Sequence, residues 1–193
     1  MARKYELKRR AERQAETRRR IVEAAVELHS TVGPLRTTVS AIAERAGVQR
    51  HTFYRHFPDE RSLGLACSAL FMEEERPLPD PERWRTIPEP KARLRHGLGE
   101  LYAYFEEHGD ALAPIVRDAE VDPLTQEIFE LRGGPIFARM VELLLEGMPQ
   151  TPRVRAAVGL ALDFHAWRCL RARGLRASEA AELMADVVIC AAA

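Results

Sequence analysis

The chain has no apolar run that approaches the ~18–20 residues needed to cross a bilayer. Its first residues are basic and polar with no apolar segment behind them, so no secretory signal is expected and the protein is placed in the cytoplasm. Cysteine is scarce. Cys67, Cys169 and Cys190 are an odd number at wide spacing, which argues against a disulfide framework and suggests reduced thiols, mostly buried as small hydrophobes. There is no Cys-x-x-Cys, no His-Glu-x-x-His and no phosphate-binding glycine loop, so neither a metal nor a cofactor is expected. The pairs His108/Asp110 and Asp163/His165 lack any nucleophile context, and residues two apart on a helix point in different directions, so no catalytic residue is assigned and no enzyme is expected. Asp118, Glu120 and Asp122 read as a solvated charged edge. No alternating apolar-polar stretch of any length occurs, which leaves an all-α fold.

What is present is concentrated between Thr37 and Phe57. Thr37 or Thr38 can cap a helix N-terminus through its hydroxyl. Val39, Ile42, Ala43 and Ala46 then repeat at helical spacing, and Gly47 follows where helices often end in a left-handed residue. Val48, Phe53 and Phe57 form the apolar set of a second short helix, whose other face carries Arg50, His51, Tyr54 and Arg55. Two short helices joined at a glycine, the second polar, basic and aromatic on one side, are a helix-turn-helix. A helix with Ile21, Val22, Ala25, Val26 and Leu28 on its apolar face precedes the motif and closes at Gly33-Pro34. A fourth helix, roughly residues 59–75, opens near Pro58-Asp59 and runs through Leu63, Ala66, Leu70 and Phe71.

Hydrophobic residues make up 46% of the 193, enough for a sizeable core. The net charge is zero, but its distribution is uneven. Residues 1–66 hold 14 Lys+Arg against 8 Asp+Glu, and residues 67–193 hold 15 against 21. A basic head on an acidic body is the electrostatic footprint a DNA-binding protein needs. The first 20 residues alone contain nine Lys+Arg and three Asp+Glu. They read either as a solvated, disordered tail or as an arm that binds phosphates or reaches into a minor groove. Five prolines between Pro77 and Pro90 exclude continuous helix there. The rest reads as helices over about 91–108, ended by His108-Gly109, then a shorter one after Asp110 with Pro114 in its first turn or at a kink. The next opens at Pro123 and is interrupted or split by Gly133-Gly134-Pro135. The last two span about 152–173 and 177–191.

Residues of about 18–75 resemble the DNA-binding head of the TetR/AcrR family of bacterial transcriptional regulators. The matching pieces are Thr37-Thr38-Val39, Ile42-Ala43, Ala46-Gly47-Val48, Thr52-Phe53-Tyr54, His56-Phe57 and Leu63. Two positions depart. Gln49 stands where the family usually has Ser or Thr, and Glu60 where it usually has a phosphate-contacting Lys, with Arg61 beside it as the candidate replacement. The resemblance implies a basic N-terminal arm (1–17), a helix-turn-helix domain (18–66) and a helical ligand-binding and dimerisation domain (67–193), about nine helices in all. In such a protein Arg50 is the expected base-contacting residue, through bidentate hydrogen bonds to guanine, or else a phosphate contact. Gln49, His51 and Thr52 sit in the same turn, within reach of bases or phosphates, and Arg55 shares their face. Tyr54 and His56 match family positions that touch phosphate. Thr37 and Thr38 donate to phosphate or serve only as caps.

The resemblance also implies a homodimer through the last two helices, where Ala156, Ala157, Gly159, Ala161, Ala166, Ala180, Ala181 and Ala185 allow close approach. It implies a small-molecule effector in the body, with Phe71, Trp84, Tyr102, Phe105, Phe129, Phe137, His165 and Trp167 as candidate lining residues or ordinary core. Few charges fall among them, so the expected effector is largely apolar with one or two polar anchors. The function expected is a ligand-responsive regulator, a repressor, that binds a pseudo-palindromic double-stranded DNA operator. The fourth helix would be its lever. A helical dimeric interaction module without sequence-specific DNA binding is the other reading.

Overall fold

The structure, a computed structural model, describes residues 2–193, and the side chains of all of these except residues 2–4, 7 and 73–75. Met1 of the expected arm lies outside the described residues. Helices account for nearly all of the regular structure, and no strand occurs among the described residues. The chain folds into two compact units, Met1–Pro77 with Asp110–Phe129, and Leu78–Gly109 with Glu130–Ala193.

The first unit begins with α1 (Ala2–Thr31). Neither a tail nor an extended arm is found: the described residues 2–17 are helical. The reason is local. Residues 2–32 contain no glycine or proline, and Ala, Arg, Lys and Glu are strong helix formers. Lys8 and Glu12, and Arg19 and Glu23, add ion pairs one turn apart, at 3.9 and 2.8 Å. Ile21, Val22, Ala25 and Val26 are buried on the face that packs against α2 (Val39–Arg45) and α4 (Glu60–Ala69). Between α1 and α2 runs a short 3-10 turn, Pro34–Arg36. After α4 the helix widens over Leu70–Glu75, where the Arg76 N–H reaches back to the Phe71 carbonyl at 2.8 Å.

The segment 110–129, which closes this unit, is far from it in sequence. Its Asp118 is buried at 3% exposure, not solvated as the sequence suggested. The carboxylate accepts the Leu35 N–H (3.0 Å) and the Arg117 Nε–H (2.8 Å), and Arg117 also donates to the Val32 carbonyl (2.9 Å). This pair ties down the connection that leads into α2. Gly33, at φ +96°, sits where a Cβ would collide with the Asp118 carboxylate, so glycine is required by both backbone and space.

The second unit is built from parts of α5 (Pro90–Ala119) and α6 (Pro123–Leu145) with α7 (Pro152–Leu162), α8 (Phe164–Arg171) and α9 (Ala177–Ala191). The proline-rich stretch holds a 3-10 helix, Pro81–Thr86, capped by Asp80, whose carboxylate accepts the Glu82 N–H at 3.1 Å. It exists because Trp84 is wholly buried and donates its indole N–H to Glu100 at 2.6 Å.

Three boundaries differ from the sequence reading. The helix expected to end at Gly109 continues through it and through Pro114. Gly109 is there because the Trp167 ring covers it, and a Cβ would come within 2.6 Å of that ring. Likewise α6 passes unbroken through Gly133-Gly134-Pro135. An interior proline costs about 3 kcal/mol, which burial of Met140, Leu143, Leu144 and Leu145 on the following turns offsets. Conversely, the helix expected over 152–173 is two. Asp163 adopts an extended conformation and its carboxylate caps α8 by accepting the Ala166 N–H at 2.9 Å. The last helix starts and ends where expected. Arg176 and Glu179 form its capping box, and the Arg176 hydrogen bonds hold the Glu179 carboxyl down at about 2.

Candidate nucleic-acid interface

The helix-turn-helix is set by backbone chemistry at Gly47. Its φ is +64°, the Gly47 N–H returns to the Glu44 carbonyl (3.1 Å), and the Val48 N–H returns to the Ala43 carbonyl (2.9 Å). This pair of bonds is the Schellman arrangement, which satisfies the last carbonyls of α2 and turns the chain toward α3 (Arg50–His56). At the other end of α2, Thr38 accepts the Ala41 N–H at 3.1 Å. The Thr37 hydroxyl donates to the Gly33 carbonyl at 2.8 Å. Both threonines therefore have structural work, and Thr38 remains exposed.

Phe53 and Phe57 anchor α3, at 3% and 1% exposure, with ring centroids 6.0 Å apart. Burying these two fixes which face is left outside. Gln49, Arg50, His51, Tyr54 and Arg55 are exposed, and Thr52 and His56 are half-buried. The Thr52 hydroxyl lies 3.3 Å from His51 Nε2. Gln49 occupies the position preceding α3 without a side-chain capping bond, which leaves its amide available to a partner. Arg50 and Arg55 have no ion pair or side-chain hydrogen bond among the described residues. The sequence-selected residues of α3 thus share one accessible face.

Arg61 is different. Its guanidinium donates to Glu127 from Nε (3.0 Å) and Nη2 (2.7 Å), in an exposed pair. A phosphate contact from Arg61 would have to compete with that carboxylate. Glu60 is exposed in the first turn of α4, beneath the cap where Asp59 accepts the Ser62 N–H at 2.6 Å.

Sequence reasoning missed a second set of groups next to α3. The face of α1 carrying Glu6, Arg9, Arg10, Arg13, Gln14 and Thr17 borders an open groove whose other wall is Arg55 and His56. The signal was present: positions 6, 9, 10, 13, 14 and 17 fall on one side of a 3.6-residue helix. The Arg18 guanidinium, 4.6 Å from the Phe57 ring centroid, clamps α1 to the end of α3. Burial, then the charges of Arg55 and Arg18, hold the His56 ring below the ordinary histidine range, so it is neutral at pH 7. Its Nε2 is buried and has no hydrogen-bond partner.

The candidate effector residues are distributed over both units. Phe71 and Phe129 belong to the first unit. Within the second, Trp84 is committed to Glu100, Phe137 is half-buried and His165 is exposed. Tyr102, Phe105 and Trp167 do come together, joined by Phe164, which sequence reasoning passed over. Phe105 lies 6.2 Å from Tyr102, 5.6 Å from Trp167 and 5.2 Å from Phe164, centroid to centroid. The Tyr102 hydroxyl and the Trp167 indole nitrogen are both buried with no partner. Burial, reinforced by the Asp163 charge, pushes the Tyr102 phenol upward. Of the cysteines only Cys67 is buried, while Cys169 and Cys190 are exposed, against the sequence expectation.

Residues 21–67, from the buried face of α1 into α4, match the family described as bacterial regulatory proteins, tetR family. A curated relative, the uncharacterized HTH-type transcriptional regulator YerO of Bacillus subtilis (strain 168), is 26% identical over 114 residues. That match covers 58% of this chain and 39% of the relative, so the chain spans well under two thirds of that protein. Among solved structures, a putative TetR-family transcriptional regulator from Mesorhizobium loti superposes with a TM-score of 0.64 at 18% identity, covering 93% of this chain and 96% of that one. The transcriptional regulator FadR from Bacillus subtilis, in complex with stearoyl-CoA, gives a TM-score of 0.63 at 18% identity, covering 89% and 97%. The head of the chain, residues 21–67, thus matches the tetR family of bacterial regulatory proteins, and the all-α fold beyond it is like that of the solved regulators.

Proposed function

We propose that the chain is a homodimeric repressor that reads a pseudo-palindromic DNA operator and releases it when a small molecule binds its second unit. The observation that carries this is the exposed face of α3. Gln49, Arg50, His51, Tyr54 and Arg55 are held outward by two buried phenylalanines, with Arg50 free to make paired hydrogen bonds to a guanine. One such helix reads few base pairs, and a two-fold dimer reads two half-sites about 34–36 Å apart. Support for the dimer comes from α7 and α9, which pack together and leave Leu160, Leu183 and Val187 exposed at 54%, 43% and 40%. Near them Gly159 has open space where a Cβ would stand. A second copy of this pair would bury that surface. The protein would act where DNA is, in the bacterial cytoplasm.

Support for an effector comes from the two unpartnered donors, Tyr102 O–H and Trp167 Nε1–H, inside an aromatic cluster. Each costs about 1–3 kcal/mol when left unpaired. A largely apolar ligand carrying a hydrogen-bond acceptor would relieve that cost. The bound stearoyl-CoA of FadR shows that a protein of this fold takes a ligand with a long apolar part. An effector releases DNA only if it binds the non-DNA-binding conformation more tightly. The test is a footprint on the DNA upstream of the protein's own gene. Two protected half-sites one helical turn apart are expected. No protection at low salt would favour the interaction-module reading, to which Glu60 in place of the family's lysine lends weight.

A further inference from the structure

We infer that the N-terminal half of α1 and the end of α3 form a preorganised cationic groove that seats the sugar–phosphate backbone of double-stranded DNA beside the major-groove segment α3 reads. The inference rests on the DNA-binding reading above and adds a second, sequence-independent contact to it.

Charge is the first argument. The groove has about 480 Å³ of space and gathers the guanidinium groups of Arg9, Arg10, Arg13 and Arg55 against a single carboxylate, Glu6. Several arginines elsewhere in the molecule are matched. Arg45 pairs with Glu27, Arg61 with Glu127, Arg95 with Glu182 and Asp186, Arg139 with Glu82 and Glu142, and Arg171 with Glu106. In the groove, Arg10, Arg13 and Arg55 have no ion pair among the described residues, and Arg9 only overlies Tyr5, 5.8 Å from its ring. Like charges gathered on one wall repel, and a polyanion removes that cost.

Rigidity is the second. Both walls are helices, and the Arg18–Phe57 contact links α1 to the residue that follows α3. The spacing of the cations is fixed before any partner arrives, so little side-chain or backbone order remains to be lost on binding. A helix cannot thread a minor groove as an extended arm does, but it can lie along a strand. The third argument is chemical. A phosphate offers acceptor oxygens, and the guanidinium groups that line the groove offer several N–H donors each.

The test compares three full-length proteins on one operator duplex that extends well beyond both half-sites. Arg10→Ala/Arg13→Ala removes two cations on an exposed face and keeps the helix. If each cation neutralises one phosphate in each protomer, the slope of log K against log salt becomes shallower by about 3–4. Ethylation interference should lose its signal at phosphates flanking the half-sites, while the preference for operator over a scrambled duplex stays unchanged. Gln14→Pro keeps every charge and breaks the helix, and should produce the same loss. A wild-type slope in Arg10→Ala/Arg13→Ala overturns the groove and leaves the α3 reading standing. A loss there with a wild-type slope in Gln14→Pro identifies a flexible arm and also overturns it. Wild-type protein that binds no duplex at all refutes the DNA-binding reading itself.

Discussion

Arginines serve opposite purposes on the exposed face around α3 in the first unit and in the core of the second. In the first, Arg10, Arg13, Arg50 and Arg55 end in solvent with no carboxylate opposite them among the described residues. In the second, Arg93 is buried at 4% exposure and donates to three backbone carbonyls, those of Leu143 (2.9 Å), Ile87 (2.9 Å) and Glu146. Arg95, Arg139 and Arg171 of that unit each meet acidic side chains. The buried side-chain atoms of the second unit that lack a partner are instead neutral donors, Tyr102 O–H and Trp167 Nε1–H. Unpaired exposed cations fit a large polyanion that arrives from solvent. Unpaired buried donors fit a small ligand enclosed by the core. The kind of unsatisfied group therefore separates the two proposed sites by partner class.

That contrast can be broken or sharpened in several ways. The largest effect concerns the platform under the cations. Phe53→Ala should cost about 3–5 kcal/mol in urea denaturation, because the exposed face of α3 exists only while Phe53 is buried. A cost below about 1 kcal/mol would mean that α3 is not held by its core.

Acid comes next. His29 of the first unit is half-buried and close to Cys67 (Sγ to Nδ1, 3.5 Å). Burial lowers its pKa from 6.5 to about 4, although the Asp118 charge acts in the other direction. The unfolded chain therefore binds a proton between those two values that the folded chain refuses. The contribution is fully present above pH 6.5 and is lost as pH falls toward 4, by roughly 3 kcal/mol in all. Stability measured against pH should flatten in that window in His29→Gln. An unchanged pH dependence would place the acid sensitivity elsewhere.

Two arginine substitutions then test the comparison directly. Arg93→Ala should lose about 2–3 kcal/mol of stability, since it strands buried carbonyls. Arg50→Ala should leave stability within about 0.5 kcal/mol and instead cost about 1–3 kcal/mol of operator binding, with relaxed preference at one base pair in each half-site. Uniform weakening on all DNA would make Arg50 a phosphate contact. The smallest effect is expected from Tyr102→Phe. Removing the unpartnered hydroxyl should stabilise the fold by about 1 kcal/mol, the low end of the cost of leaving it unpaired. Calorimetric unfolding that shows a clear loss would reveal a partner for that hydroxyl.

Much of the first unit was legible in the sequence because its signals are local. Thr38, Gly47 and the Phe53/Phe57 pair act within a few residues of themselves, through a cap, a left-handed turn and a helical stripe. The exposed face of α3 followed from the same periodicity. What stayed hidden depends on partners distant in the chain. Asp118 looks like one member of an acidic run until Leu35 and Arg117 surround it. Gly109 looks like a helix stop until Trp167 covers it. Asp163 was read as interior to a helix because its choice to cap α8 is a competition that composition alone does not settle. The groove beside α3 was overlooked for another reason. Its residues were weighed as a charge run, when their propensity already made them a helix with one cationic face.

By itself, then, the sequence determined the helical class, the turn at Gly47, the residues α3 presents and the family that the head matches. All of these follow from interactions among near neighbours. Only the tertiary structure decided that residues 110–129 complete the first unit, that Arg61 is engaged by Glu127, and that Tyr102 and Trp167 share an aromatic cluster with unpartnered donors. Each of these depends on groups that the chain brings together from far apart, and on which polar atoms are left without a partner once the core has closed.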